Sequence, residues 1–266
     1  NMEARKSAKL LAWLIALAVV FTMTLPSSVV WAAEGDASGK VAKIGDQEYA
    51  TLQEAVNAAE GDATIQMLKD VQEDVSIAED DTVTIDLNGK TITNETKTHT
   101  ITNEGNLTIT GEGIVDNVTH QTAAIHNAQG GTVVLNGGTY TRSKENGQSA
   151  EASGGNSFYN IRNYGKMTIN EGVTVKQDGH FSSLIENGYY DGNQNTAKIN
   201  AEMIINGGTF EGGLNTIKND DYGVLTINGG TFKNVTQAAF LNWNEATVTG
   251  GTFTVASEAE GPAILN

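Results

Sequence analysis

Hydrophobic and polar positions alternate along most of this chain in runs of three to five residues, each run broken by glycine or asparagine. The sharpest pattern is an apolar-x-Asn triplet that recurs seven times: Ile101-Thr102-Asn103, Ile125-His126-Asn127, Ile161-Arg162-Asn163, Ile185-Glu186-Asn187, Ile217-Lys218-Asn219, Phe240-Leu241-Asn242 and Ile264-Leu265-Asn266. From Asn to Asn the steps are 24, 36, 24, 32, 23 and 24 residues, a basic period near 24 with two steps lengthened by insertions. A second element lies between triplets. It reads Leu135-Asn136-Gly137-Gly138-Thr139-Tyr140, Ile205-Asn206-Gly207-Gly208-Thr209-Phe210, Ile227-Asn228-Gly229-Gly230-Thr231-Phe232 and Val248-Thr249-Gly250-Gly251-Thr252-Phe253. Alternation of period two predicts strands, and the paired glycines predict the turns between them.

Several short strands per 24 residues, with no helical stretch, match neither ankyrin nor tetratricopeptide spacing, and the leucine-rich frame is missing. The pattern predicts an all-β fold, one coil of a parallel β-helix per period, with stacked coils pairing their backbones. Side chains two apart on a strand share a face, so the Ile and the Asn of a triplet point inward together. Asn103, Asn127, Asn163, Asn187, Asn219, Asn242 and Asn266 are then predicted to form a ladder, each amide bonding the next. The middle residues point outward, and Arg162, Glu186 and Lys218 read as a ladder of alternating charge across coils.

Upstream of the repeats, Thr51-Leu52-Gln53-Glu54 is a capping box, and Leu52, Ala55, Val56 and Ala59 give a short helix one apolar face. Strand-like runs follow at 64–68, 74–77, 82–87 and 90–93. In Thr51-Leu52-Gln53-Glu54-Ala55-Val56, Gly61-Asp62-Ala63-Thr64-Ile65 and Ile85-Asp86-Leu87-Asn88-Gly89-Lys90-Thr91-Ile92 the chain resembles the pectin-lyase-like superfamily of right-handed parallel β-helices, over residues 44–266. Within it the likeness is to adhesin-like surface proteins of Gram-positive bacteria. The resemblance implies a right-handed solenoid with an N-terminal capping helix. It does not by itself carry a function.

Residues 1–33 differ in kind. Arg5, Lys6 and Lys9 precede an apolar run from Leu10 to Leu25, then Pro26, two serines and Val30-Trp31-Ala32-Ala33. That charged, apolar, small-residue order is expected of a secretory signal peptide, and the run is short of the ~20 residues a membrane helix needs. The expectation is a secreted or cell-surface protein that touches membrane only through this segment if it stays uncleaved. The parts are then 1–33, a lead-in at 34–48, the cap helix and first coils at 49–95, and repeated coils at 96–266, with insertions near 142–157 and 189–202. The sequence stops on a seventh triplet, which leads to the expectation that the β-helix is truncated at Asn266. The chain carries −16 overall, and since residues 1–33 contribute +2, the remainder carries −18. Such charge disfavours binding to nucleic acid. With no cysteine, an exported fold must rest on its hydrogen-bonded core.

Candidate chemistry is sparse. Enzymes of the resembled superfamily cut acidic polysaccharides, and the polygalacturonase pattern has N-T-D, D-D, G-H-G and R-I-K in that order. Here Gly179-His180 precedes Asp220-Asp221 and no R-I-K exists, so a hydrolase of that kind is not expected. Asp220-Asp221 reads as a solvated turn. Asp191, Asn193, Asn195 and Glu202 have the spacing of part of a calcium loop, yet Thr196 stands where the turn glycine belongs; a calcium site and a metal-free polar loop both stay open. His99, His120, His126 and His180 show no zinc-ligand spacing. Tyr140, Phe210, Phe232 and Phe253 share one repeat position, expected in the core. Tyr189, Tyr190, Asp191 and Asn193 in the second insertion, with Arg162, are the candidate ligand-binding residues. No catalytic residues and no cofactor other than calcium are indicated. The expected function is that of a non-catalytic, adhesin-like or glycan-contacting surface stalk, with glycans or a host or cell-wall surface as partners. The alternative is a polysaccharide lyase or glycoside hydrolase whose active site has diverged or is missing.

Overall fold

The computed structural model describes residues 39–145, 158–179, 181–190 and 198–266. Lys40–Asn266 forms one unit, a parallel β-solenoid of about eight turns with coils of about 24 residues. Three strands per coil build three sheets, of ten, eight and eight strands. Every strand from Thr64–Met67 onward pairs in parallel with its counterpart one coil away. The expected parallel β-helix is the fold observed. Among the described residues no helix is long and apolar enough to cross a membrane.

The triplets stack in register on the third sheet: Ile125 pairs with Ile161, His126 with Arg162 and Asn127 with Asn163, and so through successive coils. Inward isoleucines of this sheet are buried with columns from the other two, such as Ile109, Leu135, Ile169 and Ile205 on the first and Ile92, Val115, Tyr140 and Phe210 on the second. Phe210, Phe232 and Phe253 stack with ring centroids 4.7 Å apart, the coil spacing itself, so this aromatic column is core as expected. The turn before it explains the glycine pair. Gly208 has φ +104°, and a Cβ there would sit 2.9 Å from the Val173 carbonyl oxygen.

The asparagine ladder runs without a break. Each Nδ2 donates to the Oδ1 of the next coil, from Asn103 to Asn127 (2.9 Å), then to Asn163, Asn187, Asn219, Asn242 and finally Asn266 (2.6 Å). The same amides donate to turn carbonyls, as Asn163 does to Glu202 O at 2.9 Å, satisfying backbone that the solenoid buries. An eighth strand, Val75–Ile77, stacks on the first triplet with Ile77 opposite Asn103. An isoleucine cannot donate, so Asn103 Oδ1 is left without a partner and the ladder starts there. The apolar-x-Asn pattern misses this coil for that reason. A second, exposed ladder, Asn136, Asn170, Asn206 and Asn228, runs along the glycine corner with Thr249 at its end.

At the N-terminal end the helix α1 (Leu52–Ala58) has its capping box, Thr51 Oγ1 accepting from Glu54 N–H at 3.1 Å. Glu73, from the first coil, accepts from the free N–H groups of Leu52 and Gln53 at 2.9 and 3.1 Å, pinning the helix over the core. The hairpin of strands Ala42–Ile44 and Gln47–Tyr49 adds antiparallel strands to the edge of the first sheet, within what the sequence marks only as a lead-in. Residues 1–38, with the signal-like segment, lie outside the described residues, as do 146–157 and 191–197 of the insertions.

Candidate functional site

Outward side chains of the triplets, with the residues that follow the ladder asparagines, bring together nearly all the chemistry on the described chain. Strand alternation places His126, Arg162, Glu186 and Lys218 on the outer side of the third sheet. As each chain leaves its strand, Tyr164, Tyr189, Tyr190, Asp220 and Trp243 extend over that column.

Arg162 packs against two rings, its Cζ 5.1 Å from the Phe158 centroid and 4.7 Å from that of Tyr164. Its Nε donates to His126 Nδ1 at 3.1 Å, and its Nη2 is 3.2 Å from His99 Nε2. His99 and His126 pack ring against ring at 4.7 Å. Burial, then the charge of Arg162, pushes His99 down to about 4 and His126 to about 3, so both rings are neutral at neutral pH. Tyr164 meets Tyr189 edge-on at 5.8 Å. Farther along the axis Tyr190 meets Trp243 edge-on at 5.5 Å, and Lys218 Nζ sits 4.4 Å from the Tyr190 centroid and 5.1 Å from that of Trp243. Tyr190 and Trp243 are 41% and 46% exposed. The result is a shelf of aromatic rings along the solenoid with a cation lodged at each end.

A carboxyl pair lies beneath it. Glu186 is only 2% exposed, and Asp220 is fully buried. Burial, then the charge of Asp220 and a side-chain hydrogen bond with it, holds the Glu186 carboxyl well above the usual carboxylate range, against the opposing pull of Lys218 and Arg162. Burial and the neighbouring Asp220 thus favour the protonated form of Glu186. Lys218 Nζ makes an ion pair with Asp220 Oδ2 at 3.0 Å. The Tyr159 hydroxyl hydrogen-bonds Glu186 from the side, and burial raises the Tyr159 pKa far above its ordinary value. Arg162 and Lys218 thus place two cations on one face of a strongly acidic chain.

Two expectations are corrected here. Asp220 is not part of a solvated turn, because the overlying Lys218 and the Glu186 carboxyl bury it; its neighbour Asp221 is half-buried. Nor do Arg162, Glu186 and Lys218 form a ladder of ion pairs. Burial favours the neutral form of Glu186, and Lys218 pairs with Asp220 instead. Of the candidate ligand-binding residues, Arg162, Tyr189 and Tyr190 are brought to one face. Asp191 and Asn193 lie outside the described residues, as does Asn195. Glu202 starts the strand Glu202–Ile205, where its exposed side chain faces Lys166 at 3.5 Å. Among the described residues no three His, Asp or Glu side chains gather as a metal site.

Phe158, Tyr159, Tyr164 and Trp243 were missed from the sequence, while His99 stood there only as a histidine without zinc-ligand spacing and Lys218 only as a rung of the charge ladder. The available signal was the position after the ladder asparagine, which is Tyr164 in one coil and Trp243 in another. Two open troughs on the far corner, floored by residues such as Gly172, Thr174, Gly208 and Thr209, hold no aromatic ring. Arg142, buried beside the first insertion, donates to Glu145 at 2.8 Å and to Asn117 Oδ1 at 3.1 Å, a structural tie at the root of that loop.

Comparisons with known proteins return nothing: no family model, no curated protein and no solved structure matches the chain.

Proposed function

We propose that the chain is a non-catalytic, glycan-contacting β-helix protein that works outside the cell, with the aromatic shelf of the third sheet as its binding face. The observation that carries this reading is the alignment of Phe158, Tyr164, Tyr189, Tyr190 and Trp243 on one outer face of a chain only 6% aromatic. Sugar rings pack their C–H faces on aromatic rings while their hydroxyls seek polar groups at the edge. Export rests on the charged, apolar and small-residue order of residues 1–33, and an adhesin-like surface role on the stalk-like repetition of the coils.

The enzymatic alternative, a lyase or glycoside hydrolase, is disfavoured by the carboxyl pair. Glycoside hydrolysis needs two carboxyl groups about 5 Å or more apart, flanking the bond to be cut. Glu186 and Asp220 are instead close enough to perturb one another and are both buried. The test is a glycan array probed with the wild-type chain and a Tyr190→Ala/Trp243→Ala variant. Binding by the wild type with at least a tenfold loss in the variant is expected. Equal binding by both sinks the reading, and new reducing or unsaturated ends in the incubated glycans would establish the enzymatic alternative.

A further inference from the structure

The Arg162 end of the shelf has an electrostatic peculiarity. His99 Nδ1 accepts the Ala123 backbone N–H at 2.9 Å. A neutral imidazole that accepts at Nδ1 carries its proton on Nε2. That proton points at Arg162 Nη2, itself a donor, 3.2 Å away. Two N–H groups thus converge with no acceptor between them. Arg162 Nε is already engaged with His126, while among the described residues no Asp or Glu lies within ion-pair distance of the guanidinium. Guanidinium charge held against Phe158 and Tyr164, with one edge left over, is the geometry that accepts a planar or tetrahedral oxyanion through paired N–H bonds.

We propose that Arg162 and His99 form an oxyanion subsite at one end of the shelf, taking the carboxylate or sulfate group of an acidic sugar whose ring packs on the neighbouring aromatics. The proposal rests on the reading of the shelf as a glycan-binding face and adds the class of glycan to it. An oxyanion seated there accepts from both converging donors and neutralises an arginine that, among the described residues, has no carboxylate within ion-pair distance. The two histidines serve it as neutral groups: His126 holds the guanidinium by accepting from Nε, and His99 presents Nε2–H.

The test titrates the full chain with glucuronate, inorganic sulfate and glucose while side-chain NMR follows the His99 and His126 rings. Expected are saturable shifts of both rings with one or both anions and none with glucose, and the tighter anion identifies carboxylate or sulfate as the preferred source. Bound anion also raises the His99 pKa from about 4. Arg162→Lys keeps the charge but loses the paired N–H geometry, and should weaken the anion at least tenfold; Arg162→Gln should abolish the shifts. Unchanged affinity in both variants, or shifts with glucose equal to those with glucuronate, overturns the proposal. Binding of neutral oligosaccharides that is indifferent to Arg162 removes the oxyanion subsite and leaves the glycan reading standing. Ring shifts with the anions and no binding of any oligosaccharide keep the oxyanion site and remove the glycan reading.

Discussion

Replacing Asn163 by alanine should cost far more than replacing Asn266, although both are rungs of one ladder. Asn163 is fully buried. Its Nδ2 donates to Asn187 Oδ1 at 2.8 Å and to the carbonyls of Glu202 and Gly165 at 2.9 and 3.1 Å. Its Oδ1 accepts from Asn127 Nδ2 at 2.8 Å and from Gly165 N–H at 3.2 Å. Two hydrogens and two lone pairs are therefore in use. At about 1 kcal/mol net for each bond, the loss is about 4 kcal/mol, raised further by carbonyls left buried without a donor. Asn266 is exposed and accepts only from Asn242, so Asn266→Ala should cost about 0.5–1 kcal/mol. Urea unfolding followed by far-UV circular dichroism measures both. Costs within about 1 kcal/mol of each other would refute the claim that the inner rungs satisfy the buried turns, because the two positions differ mainly in that.

Three further outcomes are expected. In Glu186→Gln the amide still donates to Asp220, but nothing ionises. The folded wild type holds the Glu186 proton above the ordinary carboxylate pKa, so its contribution is full below that value and is lost as pH rises through the raised folded one. Across that window the variant should gain on the wild type by up to about 1.4 kcal/mol per pH unit, read from urea midpoints at a series of pH values; parallel profiles would show that Glu186 is ionised in the fold. Gly165→Ala places a Cβ 2.2 Å from the Gly131 carbonyl oxygen and 2.7 Å from that of Ala128, both backbone atoms that cannot turn aside. It should destabilise by about 3 kcal/mol or more, against about 1 kcal/mol for Gly130→Ala, which has only its positive φ to resist substitution. Thermal melts of the two variants give the comparison, and equal melting points would contradict it.

The architecture was legible because it is written twice. Residue type and register repeat together, so the inward isoleucines, the asparagine ladder and the phenylalanine column follow from period two within a strand and period 24 between coils. Where a coil departs from the pattern, the sequence shows a strand but not its place in the stack. Val75–Ile77 lies in the strand-like run 74–77 but carries isoleucine at the ladder position, and its pairing with Ile101–Asn103 fixes its register. The hairpin at 42–49 was likewise visible only through its antiparallel edge contact with the first sheet.

The binding face divides in the same way. Alternation sufficed to send Arg162, Glu186 and Lys218 outward, and insertion composition singled out Tyr189 and Tyr190. Outward did not mean solvated. Residues that follow the ladder asparagines fold back over the column, and that second layer excludes water from Glu186 and Asp220 while it leaves Tyr190 and Trp243 exposed. A charge beside an opposite charge in a list is an ion pair only if geometry brings the atoms together in that order. Here burial favours the neutral form of Glu186, Lys218 finds Asp220 nearer, and Arg162 settles on aromatic rings and neutral histidines. Periodicity therefore determines the solenoid and which way each side chain leaves it. Which side chains then cover one another, and which of them keep their charge, is decided by contacts between coils 24 to 63 residues apart in sequence, from Asn163 on Asn187 to Arg162 beside His99.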